Sequence, residues 1–260
     1  MNSGTIRPKT PEQIEAMAAS GRVLAGALDQ VEAATRPGVT TGDLDALAET
    51  YIRDHGGIPS FKGVPAAEAH ISPFPGAICA SVNDAIVHGI PGSAVLREGD
   101  IIGLDCGVIL DGWHSDSART LAVGEIGPDA SRLLDVTRAA LAEAIRASVA
   151  GGHIGDIGAA VQTLVEEAGL TIVRRFVGHG IGRTMHESPQ VPNFGRPGGG
   201  LKLVPGTTLA IEPMVNIGSS DVVFDADGWT ARTEDGSLSA HFEHTVAITD
   251  SGPRVLTEAA

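Results

Sequence analysis

An α+β fold made of two copies of one helix–helix–strands pattern is what this sequence predicts. Three observations carry the prediction. Helical periodicity gives way to strand periodicity twice, in the same order. A two-residue hairpin signal, Asp111-Gly112, sits between two apolar runs in the first strand block. The junction Gly38-Val39-Thr40-Thr41-Gly42-Asp43-Leu44 matches Gly152-His153-Ile154-Gly155-Asp156-Ile157, less one residue. The copies fall at about 11–124 and 129–250, inside one domain of 11–260 after a short tail, 1–10. Two such halves would pack their sheets together with helices outside, and a cleft where they meet is the natural site.

Each element has a local cause. Thr10-Pro11-Glu12-Gln13 reads as a helix start, with Thr10 as N-cap, Pro11 in the first turn and Gln13 completing a capping box. Ile14, Met17, Gly21, Leu24, Leu28 and Val31 then share one helical face, until Arg36-Pro37-Gly38 stops the helix. A second helix runs from about Gly42 to His55, with Leu44, Leu47, Ala48, Tyr51 and Ile52 inward, and ends at Gly56-Gly57. Ala77 to Val82 reads as a strand, and Asp100 to Leu110 pairs with Trp113 to Val123 across Asp111-Gly112. The helical period returns from Asp129 to Val149, with Leu133, Leu134, Thr137, Leu141, Ile145 and Val149 inward. A further helix follows from Gly155 to Ala168, and strand-like segments continue to about Thr249.

Composition narrows the function. The 260 residues carry 18 Lys+Arg against 32 Asp+Glu, a net charge of −14. That acidity lacks the footprint of a nucleic-acid binder or a polybasic membrane-surface protein. Hydrophobic residues make up 42%, enough for a substantial core. No apolar run is long enough to span a bilayer, and residues 1–10 are polar. Cys79 and Cys106 are too few for a disulfide scaffold and read as buried thiols of a reducing compartment, so a soluble cytoplasmic protein is expected.

The chemistry rests on carboxylates and imidazoles. A two-residue turn at Asp111-Gly112 pairs Asp105 with Ala118. Asp116 then lies on the same face as Asp105, a diagonal neighbour about 7–8 Å away. Asp105 is embedded in Ile101-Ile102-Gly103-Leu104-Asp105-Cys106-Gly107-Val108, so the pair is protonated or shares a cation. Glu212, in Thr208 to Val215, and Glu243, in Leu238 to Val246, are read as mid-strand carboxylates that also need partners. His179 sits between glycines in Gly178-His179-Gly180, His186 follows Met185, and His88 ends the stretch before Gly89-Ile90-Pro91. The four carboxylates balance two divalent cations, with neutral His179 as a fifth ligand. Hard oxygen donors with one imidazole suit Mn²⁺, Fe²⁺, Co²⁺ or Mg²⁺ better than a thiolate-type zinc site. Two such ions about 3.5–4 Å apart generate a bridging hydroxide and polarise a carbonyl or phosphoryl oxygen.

His88-Gly89-Ile90-Pro91, the Asp105/Asp116 pair, Gly178-His179-Gly180-Ile181-Gly182, His186-Glu187-Ser188-Pro189-Gln190, Ile211-Glu212-Pro213-Met214 and Phe242-Glu243-His244-Thr245 together resemble the type I methionine aminopeptidases. The resemblance runs from about residue 11 to 250 and implies the pita-bread fold of two pseudo-symmetric halves. It implies a monomeric hydrolase that removes the initiator methionine from nascent chains with a small second residue, with the ribosome as a candidate partner. Asp105, Asp116, His179, Glu212 and Glu243 would hold two ions (Co, Mn, Fe or Zn), Asp116 and Glu243 bridging them. Glu212 would be the general base, His88 would protonate the leaving amine, and His186 would hold the substrate carbonyl. Phe74, Cys79, Met185 and Trp229 would line the methionine pocket, and Asn83 and Ser239 match positions that hold a monovalent cation in some relatives.

The chain also departs from that pattern. Phe61-Lys62-Gly63-Val64-Pro65 is separated from Phe74-Pro75 by an insertion, Ala66 to Pro73, and the usual pocket Tyr and neighbouring His are missing. Met185 stands where a Phe is common, and Phe242 where a Tyr is. The short span from Glu212 to Glu243 leaves no room for the helical subdomain of type II enzymes. An Xaa-Pro aminopeptidase or prolidase shares fold and ligands but usually carries a separate N-terminal domain. A non-catalytic pita-bread binding protein tends to have lost ligands that this chain keeps.

Overall fold

The computed structural model describes residues 6–258, so positions 1–5 of the N-terminal tail lie outside the described residues. The first half contains α1 (Pro11–Ala34), α2 (Thr41–Asp54), β1 (Ile58–Pro59), β2 (Ile78–Val82), β3 (Ala85–Val87), β4 (Ile101–Leu110) and β5 (Trp113–Ala122). The second contains α3 (Pro128–Ala147), α4 (Ile154–Glu167), β6 (Thr171–Ile172), β7 (Gly178–Gly180), β8 (Glu187–Val191), β9 (Thr208–Ile211), β10 (Met214–Asn216), β11 (Val222–Phe224), β12 (Ala231–Thr233), β13 (Ser239–His241), β14 (His244–Thr249) and β15 (Gly252–Val255). The helix–helix–strands order therefore occurs twice.

The helix starts are made as their sequences require. Thr10 caps α1, accepting from the Gln13 amide while the Gln13 side chain accepts from the Thr10 amide. Thr40 and Asp43 form the same reciprocal cap on α2. The predicted α1 face, Ile14 to Val31, is buried throughout. Leu24, Leu28, Leu44 and Ile52 pack on Ile78, Ile102, Leu104 and Val108 of the first-half sheet. In the second half, Leu133, Leu141, Ile157 and Val161 pack on Leu209, Ile211 and Val246. Truncating any of these Leu or Ile side chains to Ala costs about 2–5 kcal/mol.

Three expectations are corrected. Val149 is 42% exposed rather than inward, because α3 stops at Ala147. Leu47 and Tyr51 are half-buried, with Tyr51 stacked on His55 at the end of α2. Glu212 and Glu243 are not mid-strand. Glu212 lies in the break between β9 and β10, and Glu243 in the break between β13 and β14.

All sheets are antiparallel. The β4–β5 hairpin has Leu110 opposite Trp113 and Asp105 opposite Ala118, with Asp111 and Gly112 both at positive φ, as a type I′ turn demands. The breaks at Glu212 and Glu243 have one cause. The chain leaves the five-stranded sheet after β9 and enters a three-stranded sheet as β10; it then leaves that sheet after β13 and returns as β14. His244 is opposite Ile211 and His241 opposite Met214, so the two crossings occur at the same level. Glu212 and Glu243 therefore face each other where the sheets part.

A row of hydrogen bonds joins β5 to the strands around this crossing. The Glu243 amide donates to the Ala118 carbonyl at 2.9 Å, and Ser117 Oγ donates to the Glu243 carbonyl at 2.6 Å. The Asp116 amide donates to Thr245 Oγ1, which donates back to the Asp116 carbonyl. Thr120 Oγ1 donates to the His241 carbonyl and accepts from the His241 amide. This row sets the hairpin carboxylates against the crossing carboxylates.

Candidate metal centre

Four acidic side chains converge beneath a cavity of about 940 Å³. Asp105 comes from β4, Asp116 from β5, and Glu212 and Glu243 from the two crossings. Asp116 and Glu243 are 5% and 2% exposed. His179 enters from β7, which lies between β8 and β9. Its Nε2 is 3.8 Å from Asp116 Oδ2 and 3.6 Å from Glu212 Oε1. Ligand atoms of Asp116, His179 and Glu243 all lie within 4.8 Å of one another. Its Nδ1 is 2.9 Å from the Gly180 carbonyl. Donation there fixes the tautomer and leaves the Nε2 lone pair facing the carboxylates, the usual arrangement of a metal-binding imidazole.

The electrostatics follow from burial. Desolvation is the largest influence on each carboxyl. It pushes Asp105 up to about 7 and raises Asp116, Glu212 and Glu243 well above the ordinary range; neighbouring carboxylates add to the rise in Asp116, Glu212 and Glu243. Burial, with a smaller contribution from the neighbouring His186, holds His179 and His88 down at about 4. Among the described residues, Asp105 Oδ1, Asp116 Oδ1 and Glu243 Oε1 are buried with no hydrogen-bond partner. Unpartnered buried acceptors crowded by like charge are a strained arrangement without a cation. Four carboxylates and a neutral imidazole fit two divalent cations in number, charge and donor type.

The other predicted residues divide. His88 and His186 both line the cavity. His88 follows β3 in a left-handed backbone conformation, with its ring 5.6 Å from Phe176. His186 precedes β8, with its ring 4.4 Å from that of His179. None of Phe74, Cys79, Met185 and Trp229 is among the residues lining the large cavity. Cys79 is buried opposite Asp105 on β2. Met185 packs toward Trp113 and Ile181. Phe74 and Trp229 meet edge to face at 5.2 Å, and Trp229 lines a separate cavity of about 360 Å³ with His70, Ile71, Ser72 and Pro73 of the insertion. The Trp229 indole donates to the Ser72 carbonyl, so the insertion is tied to this pocket. Asn83 and Ser239 meet through backbone, the Ser239 amide donating to the Asn83 carbonyl at 3.0 Å. The Asn83 side chain is already engaged by Asp100 and the Ile101 amide.

Two participants escaped the sequence reading. His241 lines the cavity, its Nε2 4.0 Å from Glu212 Oε2 and 3.9 Å from Glu243 Oε2. Strand alternation could have found it, since it lies two residues before Glu243. Lys9 reaches Glu187 at 2.6 Å, and Glu187 also accepts from the Arg183 and Thr184 amides, bracing the turn that carries His186. No local pattern signals a contact between residues 9 and 187.

Residues 15–250 match metallopeptidase family M24. The methionine aminopeptidase of Clostridium acetobutylicum is 48% identical over 250 residues, covering 96% of this chain and 97% of that protein. The solved methionine aminopeptidase of Thermotoga maritima superposes with a TM-score of 0.93 at 43% identity, over 98% of this chain and 100% of that one. The one from Rickettsia prowazekii also gives 0.93, at 38% identity over 97% and 100%. The two repeated halves thus form the pita-bread fold these neighbours share. With matching sequence, matching fold and a carboxylate–imidazole cluster at the sheet crossing, the chain belongs to metallopeptidase family M24.

Proposed function

We propose that this chain is a dinuclear metal-dependent aminopeptidase that hydrolyses the N-terminal methionine from proteins with a small second residue. The convergence of Asp105, Asp116, His179, Glu212 and Glu243 beneath a cavity also lined by His88 and His186 carries the chemistry. Similarity to enzymes named methionine aminopeptidase supports the choice of substrate. The same reading makes residues 11–260 one catalytic domain, working as a cytoplasmic monomer on nascent chains, with the ribosome as a further partner. The net charge of −14 means that such docking would need a local basic patch rather than general attraction to RNA.

In this reading Asp105, Asp116, His179, Glu212 and Glu243 would hold two divalent ions (Co, Mn, Fe or Zn). Ions bound there would supply an activated water and a Lewis acid for the scissile carbonyl. Glu212 would accept the proton of the attacking water as general base; its carboxylate lines the cavity beside His179, where such a water would sit. His186, at the cavity wall, donates to the substrate carbonyl and stabilises the charge that develops there. His88 stays neutral at physiological pH and carries an N–H to the leaving amine. Phe74, Cys79, Met185 and Trp229 would form the side-chain pocket beyond the large cavity, which none of them lines, with Trp229 tied to the insertion through the Ser72 carbonyl. Asn83 and Ser239 would seat a monovalent cation that holds the strand corner.

The test compares Met-Ala-Ser with Xaa-Pro peptides, using chelator-treated protein resupplied with Mn²⁺ or Co²⁺. Metal-dependent release of Met from Met-Ala-Ser is expected. Failure to release Met with either ion refutes the function.

A further inference from the structure

The five expected ligands leave one imidazole at the centre without a role. His241 ends β13, and its side chain is 5% exposed. Its backbone is held by Thr120 Oγ1, which accepts from the His241 amide and donates to the His241 carbonyl. Among the described residues, its Nε2 is buried without a hydrogen-bond partner and faces Glu212 Oε2 at 4.0 Å and Glu243 Oε2 at 3.9 Å.

Those distances discriminate between explanations. An N–H donating to a carboxylate closes to about 2.7–2.9 Å, and here neither contact does. A bare lone pair facing two carboxyl oxygens is repelled unless a cation or a shared proton lies between them, and 3.9 and 4.0 Å are too long for an O–H···N bond. Bonds of about 2.0–2.2 Å from one ion place its ligand atoms about 3–4.2 Å apart. His179, the expected imidazole ligand, stands in the same relation to its own carboxylates, at 3.6 and 3.8 Å. Glu212 lies between the two rings, Oε1 toward His179 and Oε2 toward His241.

We infer that His241 is a further nitrogen ligand of the metal centre, which would hold a divalent ion together with Glu212 and Glu243. The inference rests on the metal-centre reading above and adds a second imidazole to it. Two nitrogen donors would shift the preference of the centre toward the imidazole-favouring ions Zn²⁺, Fe²⁺ and Co²⁺ and away from Mg²⁺.

Zn²⁺ titration of the full chain, stripped by chelator and labelled with ¹⁵N-histidine, tests this directly by NMR. The Nε2 resonances of His179 and His241 are both expected to move into the metal-bound range as Zn²⁺ is added, the His241 signal being identified by its loss in His241→Gln. Movement of His179 alone overturns the inference and leaves the metal centre standing. Movement of neither overturns the metal-centre reading itself. In parallel, His241→Gln, checked for native fold by circular dichroism and thermal midpoint, is expected to bind Zn²⁺ at least about tenfold more weakly. Unchanged affinity in a folded variant also overturns the inference.

Discussion

Gly180→Ala probes how tightly the centre is framed. Gly180 ends β7, one residue after His179, with β8 on one side and β9 on the other. A Cβ built there would lie 2.3 Å from the Ser188 carbonyl oxygen and 2.7 Å from its carbon. Both belong to backbone, so no rotamer change relieves the clash. Ordinary contact begins at 3.4 Å, so β7 and β8 must separate by about 1.1 Å. Overpacking of this kind costs about 1–3 kcal/mol, which in a chain of this size lowers the melting midpoint by about 2–12 °C. Displacing a catalytic frame by about 1 Å can cost about 100-fold in rate. His179 rides on β7 and His186 borders β8, so turnover is expected to fall by about that factor. The assays are differential scanning calorimetry and hydrolysis of Met-Ala-Ser at saturating Mn²⁺, with Gly92→Ala as a control because nothing lies within 4 Å of its added Cβ. Unchanged stability and near-wild-type turnover in Gly180→Ala would refute the idea that strand spacing positions the imidazoles.

Glu212→Gln is expected to keep the fold and lose about 100- to 10,000-fold in turnover, as removal of a general base does; steady-state kinetics with circular dichroism checks this, and near-wild-type activity removes Glu212 from that role. Metal binding should also release protons. Ordinary carboxyls are ionised near neutral pH and have none to give, whereas burial and mutual repulsion keep part of the Asp105, Asp116, Glu212 and Glu243 set protonated. A cation must displace those protons. Titration calorimetry in buffers of different ionisation heat is therefore expected to show proton release near neutral pH that shrinks as pH rises, with affinity weakening as pH falls. Identical heats in all buffers would contradict the raised carboxyl pKa values.

Legibility from sequence depended on how local the cause was. The Asp111-Gly112 turn fixes its own register, so the pairing of Asp105 with Ala118, and with it the placement of Asp116, followed from counting residues. The Thr10–Gln13 capping box and the buried face of α1 were equally local. Glu212 and Glu243 were found as misplaced carboxylates, but their position at strand breaks was not. An apolar run reads the same whether a strand continues or changes sheets, although Pro213 was a hint, since proline cannot donate to a central ladder. The pocket residues were harder still. The cavity walls come from the end of β3, the start of α4, the turn before β8 and the β9–β10 crossing, and only long-range packing determines which side chains face it. Lys9 and Glu187, 178 positions apart, meet for the same reason.

The hydrogen-bond row from β5 to the sheet crossing has a consequence for assembly. Its partners lie 121 to 129 positions apart, so none of these bonds can form until both halves are built and docked. Contacts of that range make folding slow. Asp105 and Asp116 come from one side of the row and His179, Glu212 and Glu243 from the other, so neither half alone holds the complete donor set. A bound ion would tie the two sides as a cross-link does, closing a loop of more than a hundred residues in a chain whose two cysteines are both free. The candidate centre therefore exists only in the fully docked molecule, and losing the register between the halves would disassemble it.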